Sequence, residues 1–291
     1  MARFNTVQQA KFYVEHLGED FSDYLDEHER YRSAMVTTEV ALRDLGRVQR
    51  LERRYLPNFV FGEDDCVVVL GQDGLVANTF KYLAGQPVIG VNPDPQRWDG
   101  VLLPFGIADL AHIVPEVWLG KRPVKQISMG IARLNTGLEL HAVNDFFIGQ
   151  RSHVSARYRI TVDDREERQS SSGIIVSTGL GSTGWLRSIY AGINGASRTI
   201  LGLSAAAPPT GAFPWDADYL NYFVREPYPS RTTGADIVIG RIRQNGRFQV
   251  VSEMPENGVI FSDGIEADYL EFNSGTRVEI GISPKQGRLV T

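Results

Sequence analysis

The segment that most narrows the fold begins at Cys66. There the apolar run Cys66-Val67-Val68-Val69-Leu70 passes without a spacer into Gly71-Gln72-Asp73-Gly74, then a helical stretch from Leu75 to Leu83, then a second apolar run, Val88-Ile89-Gly90-Val91. Continuous apolar runs of this length mark strands buried on both faces. Strand, tight glycine loop, helix and strand form a βαβ unit built on parallel pairing. With a further helix predicted over residues 107–119, residues 1–121 read as a small α/β domain. Upstream, Tyr13, Leu17, Phe21 and Tyr24, then Leu42, Leu45, Val48 and Leu51, recur at threes and fours with charges between them. That spacing predicts a pair of mostly solvated helices between Val7 and Arg54.

From Val124 the hydrophobic period drops toward two. Leu138–Ile148, Ser155–Val162, Ile174–Ser177, Ile237–Ile242, Phe248–Val251 and Val259–Ser262 read as strands, punctuated by Asp163-Asp164, Asn245-Gly246 and Asp263-Gly264. The clearest helix among them is Trp185–Tyr190. The fold class expected is therefore α/β plus β-rich: an N-terminal α/β nucleotide domain followed by a β-sandwich-like domain over residues 122–276, with residues 277–291 packing back on the first. A length of 291 residues suits two domains.

Composition removes several function classes. The single cysteine, Cys66, has no partner for a disulfide or a thiolate metal site, and the five histidines fall at no metal-ligand spacing, so no protein-held metal is expected. A net charge of −5 argues against a general nucleic-acid binder. The opening Met-Ala-Arg-Phe-Asn-Thr is too polar for a signal peptide, and no apolar run approaches the roughly 20 residues of a membrane span. The expectation is a cytoplasmic protein without a membrane or nucleic-acid partner.

Glycine is in excess, at 29 residues, and it concentrates informatively in two loops that follow apolar strands. In the first, Gly71 and Gly74 allow close backbone approach and the following helix aims N–H groups at an anion. Asp73 inside it repels phosphate, which suits a base for a hydroxyl or a metal contact; an ordinary turn with Asp73 as helix N-cap is the plainer reading. In the second, Ser177-Thr178-Gly179-Leu180-Gly181-Ser182-Thr183-Gly184-Trp185 contains G-x-G-x-x-G. The dinucleotide fingerprint also needs an acidic residue about 20 positions on. Nothing acidic occurs between Glu167 and Asp216, so that reading fails. A P-loop needs Gly-Lys-Ser/Thr and a nucleophile elbow needs G-x-S-x-G; the loop has neither. A hydroxyl- and glycine-rich, acid-free loop suits a polyphosphate or a ribose. Between the two loops, Asn144-Asp145 sets a polar pair against an apolar strand; it is an exposed turn or, if buried, a holder of ribose hydroxyls or a base amide.

These elements, in this order, resemble the NAD kinase family. Its members carry a Gly-Gly-Asp-Gly loop, an Asn-Glu pair, and a Gly-Asp-Gly strand leading into Ser-Thr-Pro-Thr-Gly-Ser-Thr-Ala-Tyr. Here they read Gly71-Gln72-Asp73-Gly74, Asn144-Asp145, and Ser171-Ser172-Gly173 leading into Ser177 to Trp185. Phe261-Ser262-Asp263-Gly264 looks like the family's C-terminal strand-turn signature. The resemblance implies transfer of the γ-phosphoryl of ATP to the ribose 2′-hydroxyl of NAD, with Mg²⁺ on the phosphates, in the cleft of a homodimer or homotetramer. Carried over by motif position, it implies Asp73 as the base and Gly71 and Gly74 beside the phosphates. It further implies Asn144 and Asp145 on the NAD ribose or its base, and Ser172, Thr183, Trp185 and Ser188 around the rest of the dinucleotide. Gln72, Asp145, Ser172 and Trp185 each depart from the family pattern. Two other functions therefore stand beside the first: a related kinase with a lipid or sugar hydroxyl as acceptor, and a nucleotide-binding regulator without catalysis. Trp215 reads as packing between the two parts, Asp263-Gly264 as a hairpin turn, and Arg157 and Arg159 as a solvated strand face.

Overall fold

A computed structural model describes Phe4, residues 6–202 and residues 211–291. Two helices lead, α1 (Val7–His16) and α2 (Ser22–Arg43). Thr6 caps α1 by accepting from Gln9 N–H at 3.2 Å. The apolar period through Leu45, Val48 and Leu51 predicts a helix running on to Arg54, but α2 stops at Arg43. The N–H groups of Leu45 and Gly46 both turn back to the Leu42 carbonyl, and Gly46 lies where any side chain would press on the Trp118 ring.

The βαβ unit follows. Strands β1 (Val67–Leu70) and β2 (Pro87–Val91) pair in parallel with Val67 opposite Val88, joined through α3 (Asp73–Phe80). Helix α4 (Leu110–Trp118) then packs its apolar side, Leu110, Ile113 and Val114, against Ile89 and Val91.

Twelve further strands complete two sheets: β3 (Val124–Leu134), β4 (Glu139–Ala142), β5 (Asp145–Gln150), β6 (Ala156–Val162), β7 (Arg165–Ser171), β8 (Ile174–Ser177), β9 (Tyr219–Val224), β10 (Ile239–Arg243), β11 (Phe248–Ser252), β12 (Gly258–Ser262), β13 (Tyr269–Glu271) and β14 (Arg277–Val290). Helix α5 (Trp185–Leu201) lies between β8 and β9 and ends on Gly202 in the left-handed region, at φ 62°. The first sheet runs β1-β2-β14-β11-β6-β7, with β3 on β14 and β4 on β3; the second runs β10-β9-β8-β5-β12-β13. Strand β14 is the joint, antiparallel to β3 along most of its length, antiparallel to β11 over residues 277–279, and parallel to β2 at Leu289 opposite Val88.

The two sheets face each other across one core. Tyr158, Ile160, Phe248 and Val250 from the first meet Phe146, Ile148, Ile174, Val176 and Ile260 from the second, all buried. Each such side chain contributes roughly 1.5–3 kcal/mol by leaving water. The mixed α/β start and the sandwich of antiparallel strands agree with the expected fold class. Two strand readings differ. Leu138–Ile148 is not one strand but β4 and β5, broken at Val143-Asn144. Asn245-Gly246 turns the chain from the second sheet into the first, rather than closing a hairpin.

Candidate functional site

The Asp73 loop sits at the carboxyl end of β1, where parallel sheets place their ligand crevices. Asp73 opens α3, but the plainer expectation for it, a helix N-cap, does not hold. Gln72 occupies the cap position, and the Asp73 carboxylate instead reaches across to accept from Leu102 N–H at 2.8 Å and Val101 N–H at 3.2 Å. This ties the loop to the segment that follows β2.

A cleft of about 370 Å³ opens beside it. Asp73 and Gly74 form one wall, Asn144 and Asp145 another, and Thr183, Gly184 and Trp185 a third, with Asp263 and Gly264 completing it. That volume falls within the usual range for small-molecule sites. The fold thus brings together six of the residues singled out from the sequence: Asp73, Gly74, Asn144, Asp145, Thr183 and Trp185. Three others stand apart from the cleft wall. Gly71 is buried beneath Leu75, its N–H donating to the Val91 carbonyl at 3.3 Å. Ser172 is exposed just before β8, its N–H on the Arg225 carbonyl at 3.0 Å. Ser188 is exposed one turn into α5.

Glycine in the second loop answers to the chain itself. A Cβ at Gly181 would meet the Asn144 carbonyl oxygen at 2.0 Å, and one at Gly179 would meet the Pro214 oxygen at 1.8 Å. The loop therefore lies directly on the Asn144 backbone, and Thr178 fastens it there: its N–H donates to Asn144 O at 2.9 Å and its hydroxyl to Val143 O at 2.5 Å. Gly74, by contrast, has open space where a side chain would project. Trp185 stacks on Phe147 at 6.1 Å and nearly parallel, and the Arg225 guanidinium lies 5.8 Å over the same indole. Trp215 packs against the cluster containing Val69, Phe80 and Leu180, as expected of a packing residue, with the Lys125 ammonium 3.6 Å from its ring.

Asp263 keeps its reading as a hairpin turn between β12 and β13 and adds a second role. It sits in that turn with φ 55°, and its side chain folds inward and is 3% exposed. The carboxylate accepts from the N–H groups of Val143, Asn144 and Asp145, at 3.0, 2.6 and 3.3 Å to one oxygen. This is the physical reason that β4 and β5 break: the N–H groups at the break bond to a side chain instead of a neighbouring strand. The other oxygen is 2.9 Å from the Lys81 ammonium, itself 5% exposed and 2.6 Å from Ser262 Oγ. Lys81 escaped the sequence reading. A lysine inside the otherwise apolar Phe80-Lys81-Tyr82-Leu83 was the available signal, because such a charge is buried only when paired. Asp145 is 7% exposed. Burial first, and then the neighbouring Asp263 charge, raise its carboxyl to about 7, against a smaller opposing pull from Lys81.

Among the described residues no group of three or more His, Cys, Asp or Glu could hold a metal ion, and no helix is long and apolar enough to cross a membrane. No protein-family model matches the chain. Curated proteins do. NAD kinase 2, mitochondrial, of Rattus norvegicus is 28% identical over 218 residues, covering 58% of this chain and 51% of the relative. A probable NADH kinase of Oryza sativa subsp. japonica is 26% identical over 227 residues, covering 69% and 63%. The chain is thus similar in sequence to NAD and NADH kinases. It spans about half the length of the mitochondrial relatives it matches. Solved structures share its fold: an Archaeoglobus fulgidus NAD kinase in complex with ATP, at TM-score 0.59, 18% identity and 87% coverage of both chains, and yeast NADH kinase complexed with NADH, at TM-score 0.56, 17% identity, 78% of this chain and 61% of that one. The motifs that resemble those of NAD kinases surround one cleft here, although Gly71, Ser172 and Ser188 lie outside its wall.

Proposed function

We propose that the chain is an ATP-dependent kinase that phosphorylates the ribose 2′-hydroxyl of NAD to give NADP. One observation carries this reading: the cleft gathers Asp73, the Asn144-Asp145 pair and the Thr183–Trp185 loop, which lie far apart in sequence and follow the order of the family's motifs. Phosphoryl transfer is mainly positioning and charge stabilisation, so one carboxylate among many backbone donors is sufficient chemistry.

Asp73 is the proposed base. Its two backbone hydrogen bonds fix the carboxylate on the cleft wall and leave lone pairs for the hydroxyl proton. The start of α3, with unobstructed Gly74, offers N–H groups to phosphate oxygens. Asn144 and Asp145 hold the acceptor ribose or its base, and Trp185 and Thr183 line the remaining acceptor surface. Mg²⁺ commonly binds through one or two carboxylates plus substrate phosphates, so Asp73, among the carboxylates of the cleft wall, would suit an ion that arrives with ATP and would supply charge neutralisation at its phosphates. A related acceptor is the second reading, favoured by Trp185, whose stacked indole and overlying Arg225 shape the acceptor side.

Incubating the purified chain with ATP, Mg²⁺ and NAD, with NADP and ADP measured separately, tests both. NADP formed in step with ADP supports NAD as acceptor. ADP released only with a sugar, lipid or NADH acceptor moves the reading to the second. Nucleotide binding without turnover on any acceptor would sink the kinase assignment and leave a regulator.

A further inference from the structure

Val143 and Asn144 belong to no strand, yet their backbone is gripped on both sides. The carbonyl side is held by Thr178, and the N–H side by the Asp263 carboxylate. Asp263 is in turn fixed by the Lys81 ammonium, which also donates to Ser262. Lys81 follows directly on α3, the helix that Asp73 opens. The pair, whose members are 182 positions apart in sequence, therefore joins the Asp73 helix to the Asn144-Asp145 segment, with Asp263 on the cleft wall.

A buried ion pair is weak evidence of stability, since an apolar pair of similar volume often serves as well or better; in some proteins such a pair instead fixes one arrangement among alternatives. Here the arrangement fixed is specific. A carboxylate turned inward to accept three successive N–H groups defines the direction of that backbone, and with it where the Asn144 and Asp145 side chains point. We propose that Lys81 is a positioning residue for acceptor binding: through Asp263 it locks the Val143–Asp145 backbone in the conformation that presents Asn144 and Asp145 to the acceptor. Lys81 does not itself touch substrate. The inference rests on the kinase reading for its kinetic half and on the structure alone for the clamp.

Lys81→Met and Ser262→Ala, with Lys81→Arg as the conservative replacement, test it by two readouts. In Lys81→Met the acceptor KM rises about tenfold or more, while kcat and the KM for ATP stay within about threefold. Lys81→Arg recovers most of that rise. Ser262→Ala, which removes one partner of the ammonium and leaves the charge pair, shifts the acceptor KM the same way by about threefold. A merely structural lysine would lower melting temperature and active fraction without separating the two KM values. The second readout is amide hydrogen exchange, which is slow at Val143, Asn144 and Asp145 in the wild type and accelerates there first in both variants. An unchanged acceptor KM in folded Lys81→Met, or in Ser262→Ala if the former does not fold, overturns the positioning role. Should the wild type form no phosphorylated product, the kinase reading falls. Exchange then decides the clamp by itself, and unaltered exchange at those three amides refutes it.

Discussion

Replacing Asp145 by asparagine removes a titrating group whose native environment works against its charge. Its carboxyl is raised from 3.8 to about 7, chiefly by burial and then by Asp263. The sign follows directly. Between these values the native state keeps the proton that the unfolded chain releases, so stability falls as pH rises and levels off above 7. At about 1.4 kcal/mol per unit, the difference amounts to ~4 kcal/mol at full ionisation, of which about 2–3 kcal/mol develops between pH 5 and pH 8. Asparagine retains the shape and does not titrate. Urea unfolding of both proteins at pH 5, 6, 7 and 8 should therefore show Asp145→Asn gaining on the wild type by that amount across the series. An acceptor hydroxyl donating to the ionised carboxylate has the opposite pH dependence, so acceptor KM in the wild type should fall as pH rises through 7 and lose that dependence in the variant. Parallel stability profiles for the two proteins would show that the cleft does not hold Asp145 protonated, and the reasoning would be refuted.

Other outcomes follow from the same geometry. Gly181→Ala drives a methyl into the Asn144 carbonyl, which cannot retreat because Thr178 and Asp263 hold that backbone; thermal unfolding should show a loss of at least ~2 kcal/mol, more than Gly184→Ala, whose Cβ meets only the Gly181 oxygen at 3.5 Å. Phe147→Ala removes the ring on which Trp185 and Phe261 stack, at an expected cost of roughly 3–5 kcal/mol, and indole fluorescence should report a less ordered Trp185. Burial pushes the Cys66 thiol up to about 11, so alkylation at pH 8 should be much slower in the native protein than in urea.

The parts of the molecule that were legible in the sequence are those whose signal is local. Val67–Leu70 and Pro87–Val91 are apolar throughout because both faces of the parallel pair are covered, and β8 shows the same trait at Ile174–Ser177. Strand β7, Arg-Glu-Glu-Arg-Gln-Ser-Ser, carries almost no apolar pattern: it is an edge strand whose pairing with β6 is set by the turn at Asp163. Strand β9 was missed as well, because Tyr219 to Val224 follows a Pro- and Gly-punctuated stretch and has aromatic residues on both faces. The cleft is legible as motif order, since Asp73, Asn144, Asp145, Thr183 and Trp185 all line it. Its supporting layer is not. Lys81 and Asp263 acquire meaning only when the fold closes 182 positions into 2.9 Å, and a dipeptide such as Asp263-Gly264 reads locally as a turn whichever way its carboxylate faces. The glycines of the second loop likewise serve the chain's own crossings over Asn144 and Pro214, which no local pattern reveals.

The central claim is that Asp73 takes the proton of an acceptor hydroxyl in this cleft. Its most direct test compares the wild type with Asp73→Asn in NADP formation at saturating ATP, Mg²⁺ and NAD, alongside calorimetric titration of NAD into each. The account predicts kcat lower by about a hundredfold or more in Asp73→Asn, in the range of lost general-base catalysis, with NAD affinity nearly unchanged. Equal kcat in two folded proteins that bind NAD alike would contradict it.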